Sequence, residues 1–309
     1  MSAVTTTVAA PALPRRVVLR QVLRDYVALT KPRVISLLLV TALAAMVVAQ
    51  GGWPATDLVL AVMVGGYLAA GGANAVNMWF DRDIDAEMYR TRLRPIPSGR
   101  VPPNNALAFG IALNVAAFAV IALRANLLAA GLTLAASAFY VFVYTMWLKR
   151  STPQNIVIGG AAGAFPPLIG WAAVTGNISL LPLYMFAIVF FWTPPHFWAL
   201  ALRLEGDYGR AHVPMLPEVK GRLETARQIV LYSVVLTAIT VLPVLAGLGL
   251  FYVLSALLLG GGLIALSVAT WRGNDRRWAR RTFEYSLLYL ALLFGAMVVD
   301  SLLRTASGY

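Results

Sequence analysis

Long apolar stretches, separated by short polar segments, recur along the whole chain. About twenty consecutive apolar residues suffice to cross a bilayer as a helix, and nine stretches approach that length. Their approximate limits are 34–52, 57–79, 105–123, 127–147, 155–174, 180–202, 228–247, 250–270 and 284–303. The pattern therefore predicts an all-α integral membrane protein with nine spanning helices, numbered here as spans 1 to 9 in chain order.

The segments outside these stretches suggest how the chain is organised. The first fourteen residues carry no charge, and no apolar core follows a basic start there, so a cleaved secretory signal is not expected. We expect residues 1–29 to form a flexible N-terminal cytoplasmic tail. Residues 30–304 then form the nine-helix membrane domain, and residues 305–309 a short C-terminal tail.

Composition supports a membrane protein and excludes some chemistry. The 309 residues are 60% hydrophobic and 12% charged, whereas soluble domains carry about 25% charged residues. The chain has no cysteine, which excludes disulfides and thiolate metal sites. Its two histidines, His196 and His212, are too few for a histidine-rich metal site.

The net charge of +12 is explained by membrane topology. If the N-terminus is cytoplasmic, 23 of the 25 Lys and Arg residues fall on the cytoplasmic side, and only Arg124 and Arg304 fall on the other. An excess of basic residues in cytoplasmic loops is the usual orientation signal of membrane proteins. The distribution predicts a cytoplasmic N-terminus, a C-terminus on the opposite side, and no nucleic-acid partner.

Two loops are much longer than the rest, and both are predicted to be cytoplasmic. They cover residues 80–104 after span 2 and residues 203–227 after span 6, and they hold most of the acidic residues. Loops held by a rigid scaffold often carry function. The chemistry is therefore expected at the cytoplasmic face.

The first long loop begins with an acidic pattern. Asn77, Asp81 and Asp85 are spaced four residues apart, so they share one face if the segment is helical, whereas Asp83 points the other way. Carboxylates one turn apart lie about 6 Å from each other along the axis, and Mg²⁺ is commonly held by one or two carboxylates plus substrate phosphates. The alternative is a solvated helix end whose acids pair with nearby arginines.

An arginine-rich turn follows this acidic pattern. The segment Arg90–Arg100 contains four arginines, with prolines that stiffen it and Gly99 that permits a turn. Arginine donates in pairs to phosphate oxygens, so the two segments together predict a diphosphate site. The alternative is that these arginines only determine topology.

The motif from Asn77 to Asp85, followed by Arg90-Thr-x-x-Arg94-Pro, resembles the first signature of the UbiA-type intramembrane prenyltransferases. The resemblance runs from about Thr30 to Asp300, and further segments carry it: Thr30–Arg33, Tyr144–Arg150, Asn155–Trp171, Trp192–Trp198 and Asp207–Pro217.

One departure bears on the branch of the family. Quinone-type members carry a second pair of aspartates, four residues apart, in the loop after span 6. Here that loop offers only Glu205 and Asp207, two residues apart. This weakens an interpretation with two symmetrical metal motifs, and together with the Pro-Pro-His segment at 194–196 it favours the branch that modifies haem.

The resemblance implies a UbiA-type bundle of nine helices around a central cavity. It implies transfer of a farnesyl group from farnesyl diphosphate to a vinyl group of haem B, with addition of water, giving haem O and diphosphate. It further implies Mg²⁺ as cofactor, the lipid bilayer as surroundings and haem A synthase as a candidate partner. A bacterial inner membrane is the favoured location, and a mitochondrial inner membrane the alternative.

The resemblance also implies roles for particular residues. Metal ligands would be Asn77, Asp81, Asp85 and Asp207, and the diphosphate would be bound by Arg90, Arg94, Lys149 and Arg150. Lys149 would also be catalytic, together with Asp81, Asp85, Tyr144, His196 and Asp207. Tyr144 would steady an allylic cation, unless it is only an interfacial tyrosine. His196 would orient propionates, ligate iron, transfer protons, or merely cap a helix end broken by proline.

Two other functions are considered. A prenyltransferase for a quinone precursor shares the fold and the first motif, but the missing second aspartate pair counts against it. A transporter would use buried acids as ion sites, but here the acids and arginines gather on one side and not at the midplane.

Overall fold

The computed structural model describes residues 15–204, 206–273 and 275–307, and most of them are helical. Within this described part, nine helices are long and apolar enough to cross a membrane, which confirms the predicted architecture. Spans 1 to 9 are Pro32–Gln50, Thr56–Phe80, Pro103–Arg124, Leu127–Ser151, Asn155–Thr175, Leu180–Arg203, Leu216–Ala246, Leu250–Gly273 and Arg276–Ala306.

The spans form a closed ring. Each span packs against the next along the chain, and span 9 returns to pack against span 1. Further contacts cross the ring: the most extensive are between spans 1 and 5 and between spans 6 and 9, and span 2 also contacts spans 4 and 5. Because consecutive spans run in opposite directions, the start of span 1 and the ends of spans 2, 4 and 6 lie at one end of the ring.

Small residues allow the closest approaches between spans. A Cβ atom on Gly170 of span 5 would collide with the backbone carbonyl of Ala42 in span 1. Gly72 of span 2 and Gly110 of span 3 oppose each other's backbones in the same way. Small residues at helix interfaces are typical of membrane bundles, where close backbone packing replaces hydrophobic exclusion.

The sequence pattern predicts a flexible tail over residues 1–29, but the structure shows that part of this segment is helical. A helix covers Arg15–Thr30, because its inner face packs on the bundle: the rings of Tyr26 and Phe109 meet edge to face at 5.0 Å, and Asp25 accepts from Arg100 at 2.9 Å. The prediction of a flexible tail is therefore wrong for residues 15–29. Residues 1–14 lie outside the described part.

The last span and the second loop also have different bounds from those predicted. Span 9 ends at Ala306, so its helix includes the first two residues of the predicted C-terminal tail. Span 7 begins at Leu216, which shortens the second loop from the predicted 203–227 to 204–215. The charged residues between 218 and 227 are typical of a loop, but here they form the first turns of the span 7 helix, before its apolar part. The helix is interrupted at Gly221 (φ 77°, ψ 171°).

Candidate active site

The predicted acidic stripe is buried at the end of the ring where span 2 ends. Asn77 lies in the last turn of span 2, Asp81 follows it, and Asp85 lies in a short helix, Arg82–Glu87. Backbone hydrogen bonds from Asp81 to Asn77 (2.9 Å) and from Asp85 to Asp81 (2.8 Å) continue the helical progression. Both aspartates are 0% exposed, which excludes the solvated helix end.

Asp83 points away from the stripe, as its spacing predicts. Its side chain is 59% exposed and pairs with Arg150 at 2.7 Å. The Arg150 guanidinium holds the pKa of Asp83 at about 2. Asp83 is thus a surface partner of Arg150 and does not join the buried carboxylates.

The stripe is surrounded by cations. Lys149, at the end of span 4, donates to Asp81 Oδ2, and Arg94 Nη1 donates to both oxygens of Asp85 at 2.8 and 2.7 Å. A nitrogen of Arg150 lies 3.6 Å from Asp81 Oδ1. The arrangement brings together five of the residues assigned to the diphosphate and metal sites: Asp81, Asp85, Arg94, Lys149 and Arg150.

Lys31 is a member of this network that the sequence patterns do not single out. Its Nζ donates to Asn77 Oδ1 at 2.9 Å, and its backbone is left-handed (φ 54°, ψ 58°) at the start of span 1. Desolvation, with the charges of Arg94 and Lys149, lowers the pKa of Lys31 well below its usual value. The signal in the sequence is the segment Thr30–Arg33, which carries part of the family resemblance but assigns Lys31 no role.

Asn77 connects this network to span 4. Its Nδ2 donates to Asp81 Oδ2 at 2.7 Å and to Thr145 Oγ1 at 3.1 Å. Thr145 in turn donates to the carbonyl of Tyr140, five residues earlier, at 2.8 Å. These contacts fix the Asn77 amide, so that its oxygen is the atom left for a cation, here Lys31.

Span 4 widens into a π-helix over Phe139–Leu148. The segment is apolar almost throughout, so its pattern indicates only an ordinary helix. π-helical turns are uncommon and often occur at functional sites. Here the widened turns stack the rings of Tyr140 and Tyr144 at 5.4 Å and place Thr145 against Asn77.

Asp207 joins the two loops to each other. Its carboxylate accepts from the backbone N–H groups of Tyr89 at 3.0 Å and Arg90 at 3.5 Å, and it pairs with Arg210. Burial raises the pKa of Asp207, but Arg210 and the two N–H groups outweigh burial and lower it. The bonds described for Asp207 thus lead to the first loop and not to the stripe; Glu205 lies outside the described residues.

Arg90 and Tyr144 occupy different surroundings. The Arg90 side chain is exposed and forms no ion pair within the described ranges, so its backbone, and not its guanidinium, is what the structure fixes. Tyr144 packs with Phe197 and Tyr208 on the apolar cluster beneath the loops. The cluster gives the stripe an apolar, aromatic neighbour.

His196 lies near the end of span 6, between that span and span 9. Its Nδ1 is 2.7 Å from the hydroxyl of Ser286, and its ring stacks between those of Trp192 and Phe283. His212 is exposed in the second loop. Of the two histidines, only His196 is built into the bundle.

The oxygen donors of the stripe are of the kind that a hard cation takes. Asp81 Oδ1 is buried without a hydrogen-bond partner, and it lies beside carboxylate and amide oxygens, which Mg²⁺ prefers. No group of three or more His, Asp or Glu residues gathers closely enough to hold a metal alone within residues 15–204, 206–273 and 275–307. A metal bound here would take further oxygen ligands from water or from a substrate.

Known proteins are similar to this sequence over most of its length. The model of the UbiA prenyltransferase family matches residues 38–293. The protoheme IX farnesyltransferase of Thermus thermophilus is 56% identical over 278 residues, which cover 90% of this chain and 46% of that protein. The protoheme IX farnesyltransferase of Symbiobacterium thermophilum is 54% identical over 283 residues, which cover 91% of this chain and 95% of that protein. The chain thus spans about half the length of the first relative and nearly all of the second.

The fold also matches a solved structure. The UbiA homolog from Archaeoglobus fulgidus bound to DMAPP and Mg²⁺ superposes with a TM-score of 0.65 at 16% identity, and the match covers 89% of this chain and 99% of that one. At this level of identity the likeness establishes a common arrangement of helices.

Proposed function

Because this chain belongs to the UbiA prenyltransferase family, we propose that it transfers a farnesyl group from farnesyl diphosphate to a vinyl group of haem B. The products are diphosphate and, after addition of water, haem O. The observation that carries this proposal is the identity of 54% to a relative named protoheme IX farnesyltransferase, along nearly the whole of that protein. The buried stripe and its cations supply a chemical site for it.

Asn77, Asp81 and Asp85 are the residues that would hold Mg²⁺. Two observations support this assignment. Oδ1 of Asp81 is buried and accepts no hydrogen bond, and the Archaeoglobus fulgidus homolog binds Mg²⁺ together with DMAPP. When bound, the ion would neutralise charge on the leaving diphosphate. Asp207 is better suited to hold the two loops together than to act as a ligand, because both of its oxygens accept from backbone N–H groups.

The basic residues around the stripe bind the diphosphate. Lys31, Arg94 and Lys149 are already aimed at the oxygens of Asn77, Asp85 and Asp81. They turn to the diphosphate oxygens when the donor arrives. Fixed positive charge is most effective where negative charge develops, which is on the oxygen released when the allylic C–O bond breaks. Arg150 contributes from 3.6 Å, and Arg90 from the exposed rim.

The bond changes balance with water as the third reactant. The C–O bond electrons leave with diphosphate, and the vinyl π electrons form the new C–C bond to farnesyl C1. Water adds to the resulting cation beside the porphyrin and gives up a proton. Tyr144 and the stacked Tyr140 present aromatic faces to the cation, and the apolar cluster beneath the loops keeps other water away.

The orientation follows from the distribution of basic residues. The N-terminus and the site face the cytoplasm of a bacterial cell, or the matrix of a mitochondrion, and the C-terminus lies on the other side. Haem A synthase is the candidate partner, because its reaction consumes the proposed product.

A product assay tests the proposed function. Detergent-purified protein is incubated with farnesyl diphosphate and Mg²⁺ and an equimolar mixture of haem B, a hydroxybenzoate and a naphthoate, and the products are identified by mass spectrometry. We expect only haem to gain one farnesyl and one hydroxyl group. Prenylation of either aromatic acid instead would assign the quinone branch, and no prenylation by a folded preparation would favour the transporter.

Lys31 provides a prediction about binding of the donor. Lys31→Met removes one charge-assisted contact, each worth about 1.5–3 kcal/mol, so the KM for farnesyl diphosphate should rise about tenfold or more, with a smaller change in kcat. Arg33→Met is the matched control, since Arg33 is basic and exposed two residues away. An unchanged KM for Lys31→Met would remove this lysine from the site.

Asp207 provides a prediction about the loops. Asp207→Ala frees the backbone of Tyr89 and Arg90, and misplacement of a site by about 1 Å can cost 100-fold in rate. We expect kcat/KM to fall about 10- to 100-fold and proteolysis of the first loop to become faster. Asp57→Ala, an exposed acid at the other end of the ring, should change neither. A fall in activity with unaltered proteolysis would instead support a direct role for Asp207 at the metal.

A further inference from the structure

The hydrogen bond of His196 determines which of its nitrogens carries the proton. Nδ1 lies 2.7 Å from Ser286 Oγ. The Ser286 hydroxyl donates its single proton to the carbonyl oxygen of Phe283, also at 2.7 Å. Nδ1 must therefore be the donor to Ser286. A buried ring whose described contacts include no carboxylate is neutral, because an unpaired buried charge is costly. With the proton on Nδ1, Nε2 carries a free lone pair.

Three aromatic rings pack around His196: Trp192 and Phe283 stack on it, and Phe197 meets it edge to face at 5.3 Å. Trp192 covers one face at a centroid distance of 4.2 Å, and Phe283 stacks against the ring at 4.7 Å. The indole N–H of Trp192 donates to the backbone carbonyl of Ser286 at 2.7 Å, which ties spans 6 and 9 together at this point. Rotation of the ring is blocked, and the Nε2 lone pair lies in the ring plane, where no stacked ring covers it.

Nε2 has no partner of its own. Within the part of the chain that the structure describes, the His196 ring makes its hydrogen bond through Nδ1, and none reaches Nε2. A nitrogen that is held by packed neighbours and carries a free lone pair can accept a ligand. His196 as a whole is only 7% exposed, so the approach to Nε2 is narrow.

We propose that His196 Nε2 ligates the iron of the haem acceptor, with Ser286 as its positioning residue; this rests on the proposed function. Ligating histidines almost always donate their other N–H to a fixed acceptor, which sets the tautomer and strengthens the ligand. Ser286 is such an acceptor. Histidine is also a common axial ligand of haem iron, and this chain has no cysteine and one other histidine, the exposed His212.

His196 is placed so that it could bind the haem iron while the reacting vinyl edge of the porphyrin lies nearer to Tyr144 and Tyr208. The next residue, Phe197, packs in the same apolar cluster as Tyr144 and Tyr208. A porphyrin anchored through its iron at His196 would therefore have one edge beside the aromatic residues proposed to flank the allylic group. Iron ligation would hold the macrocycle in one orientation and so select which vinyl group reacts.

Haem binding by the full-length purified protein, without any farnesyl donor, tests this inference. We expect wild type and His212→Ala to give absorption and electron paramagnetic resonance spectra of histidine-ligated haem. His196→Ala and His196→Gln should lose that signature, and added imidazole should restore it to His196→Ala. Size-exclusion elution and helical circular dichroism show that the variants are folded.

Ser286 gives a second readout that a purely structural role would not change. Ser286→Ala should keep the ligand but weaken haem binding about 10- to 100-fold and lower the iron–histidine stretching frequency, because Nδ1–H loses its acceptor. Ser286→Thr, which retains a hydroxyl, should restore both values. An unchanged stretching frequency in Ser286→Ala would overturn the assignment of Ser286.

The outcomes separate this inference from the proposed function. If His196→Ala binds haem with the wild-type spectrum, iron ligation is refuted, and a loss of turnover in that variant would instead assign proton transfer. If wild type farnesylates haem without a histidine signature, the inference fails and the function stands. If wild type neither binds nor farnesylates haem, both fail.

Discussion

Asp81→Asn should lower kcat/KM by about 100- to 1,000-fold while the protein remains folded. Asp81 is fully buried, its Oδ2 accepts from Asn77 and Lys149, and its Oδ1 accepts no hydrogen bond and lies 3.6 Å from a nitrogen of Arg150. The amide has the same shape but removes the charge that would hold the metal, and loss of one electrostatic contact to a transition state typically costs about 100- to 1,000-fold.

Asp83→Asn is the matched control for this variant. Asp83 lies two residues further along the same segment, but its side chain is 59% exposed and paired with Arg150. Exposed pairs contribute about 0–1 kcal/mol, so activity should remain within a few fold of wild type. Equal losses in the two variants, measured as initial rates at saturating Mg²⁺, would contradict the assignment of the buried stripe.

Arg94→Met should both inactivate the protein and destabilise it. The change leaves the buried carboxylate of Asp85 without its partner on the arginine, and breaking such a pair from one side costs about 3–5 kcal/mol. We expect a clear fall in the apparent Tm in detergent, measured by the loss of helical circular dichroism on heating.

The double variant Asp85→Asn/Arg94→Met tests the cause of that fall. Replacing Asp85 by asparagine removes the buried carboxylate that has lost its arginine partner, which should restore much of the lost stability. The double variant should therefore melt at a higher temperature than Arg94→Met alone. Activity should stay low, because the proposed metal ligand and a proposed diphosphate contact are both gone. A double variant that is no more stable than the single one would show that Asp85 is not left uncompensated.

The sequence predicts most of the fold because nine apolar stretches have few alternatives in a bilayer, where the backbone must satisfy its own hydrogen bonds. The prediction fails where a charged segment is nevertheless helical. Residues 218–227 and the helix Arg15–Thr30 are charged, and were expected to be loop or tail, yet they pack on the bundle.

The candidate site was only partly predictable, for a similar reason. The spacing of Asn77, Asp81 and Asp85 is a local property, and the structure places all three on one buried face. Lys31 and the π-helical turns around Tyr140 depend on contacts between spans, which periodicity does not record. The two hydrogen bonds that Asp207 accepts from the first loop join residues more than one hundred positions apart, and no spacing rule reaches that far.

The most direct test of the account is the stoichiometry of a single turnover. Wild-type protein in excess over haem B is mixed with farnesyl diphosphate and Mg²⁺, and released diphosphate and farnesylated haem are measured in the same quenched samples. We predict equal amounts at every time point, with neither formed by Asp81→Asn. Release of diphosphate without loss of haem B would contradict the account, because the site would then break the donor without joining it to the proposed acceptor.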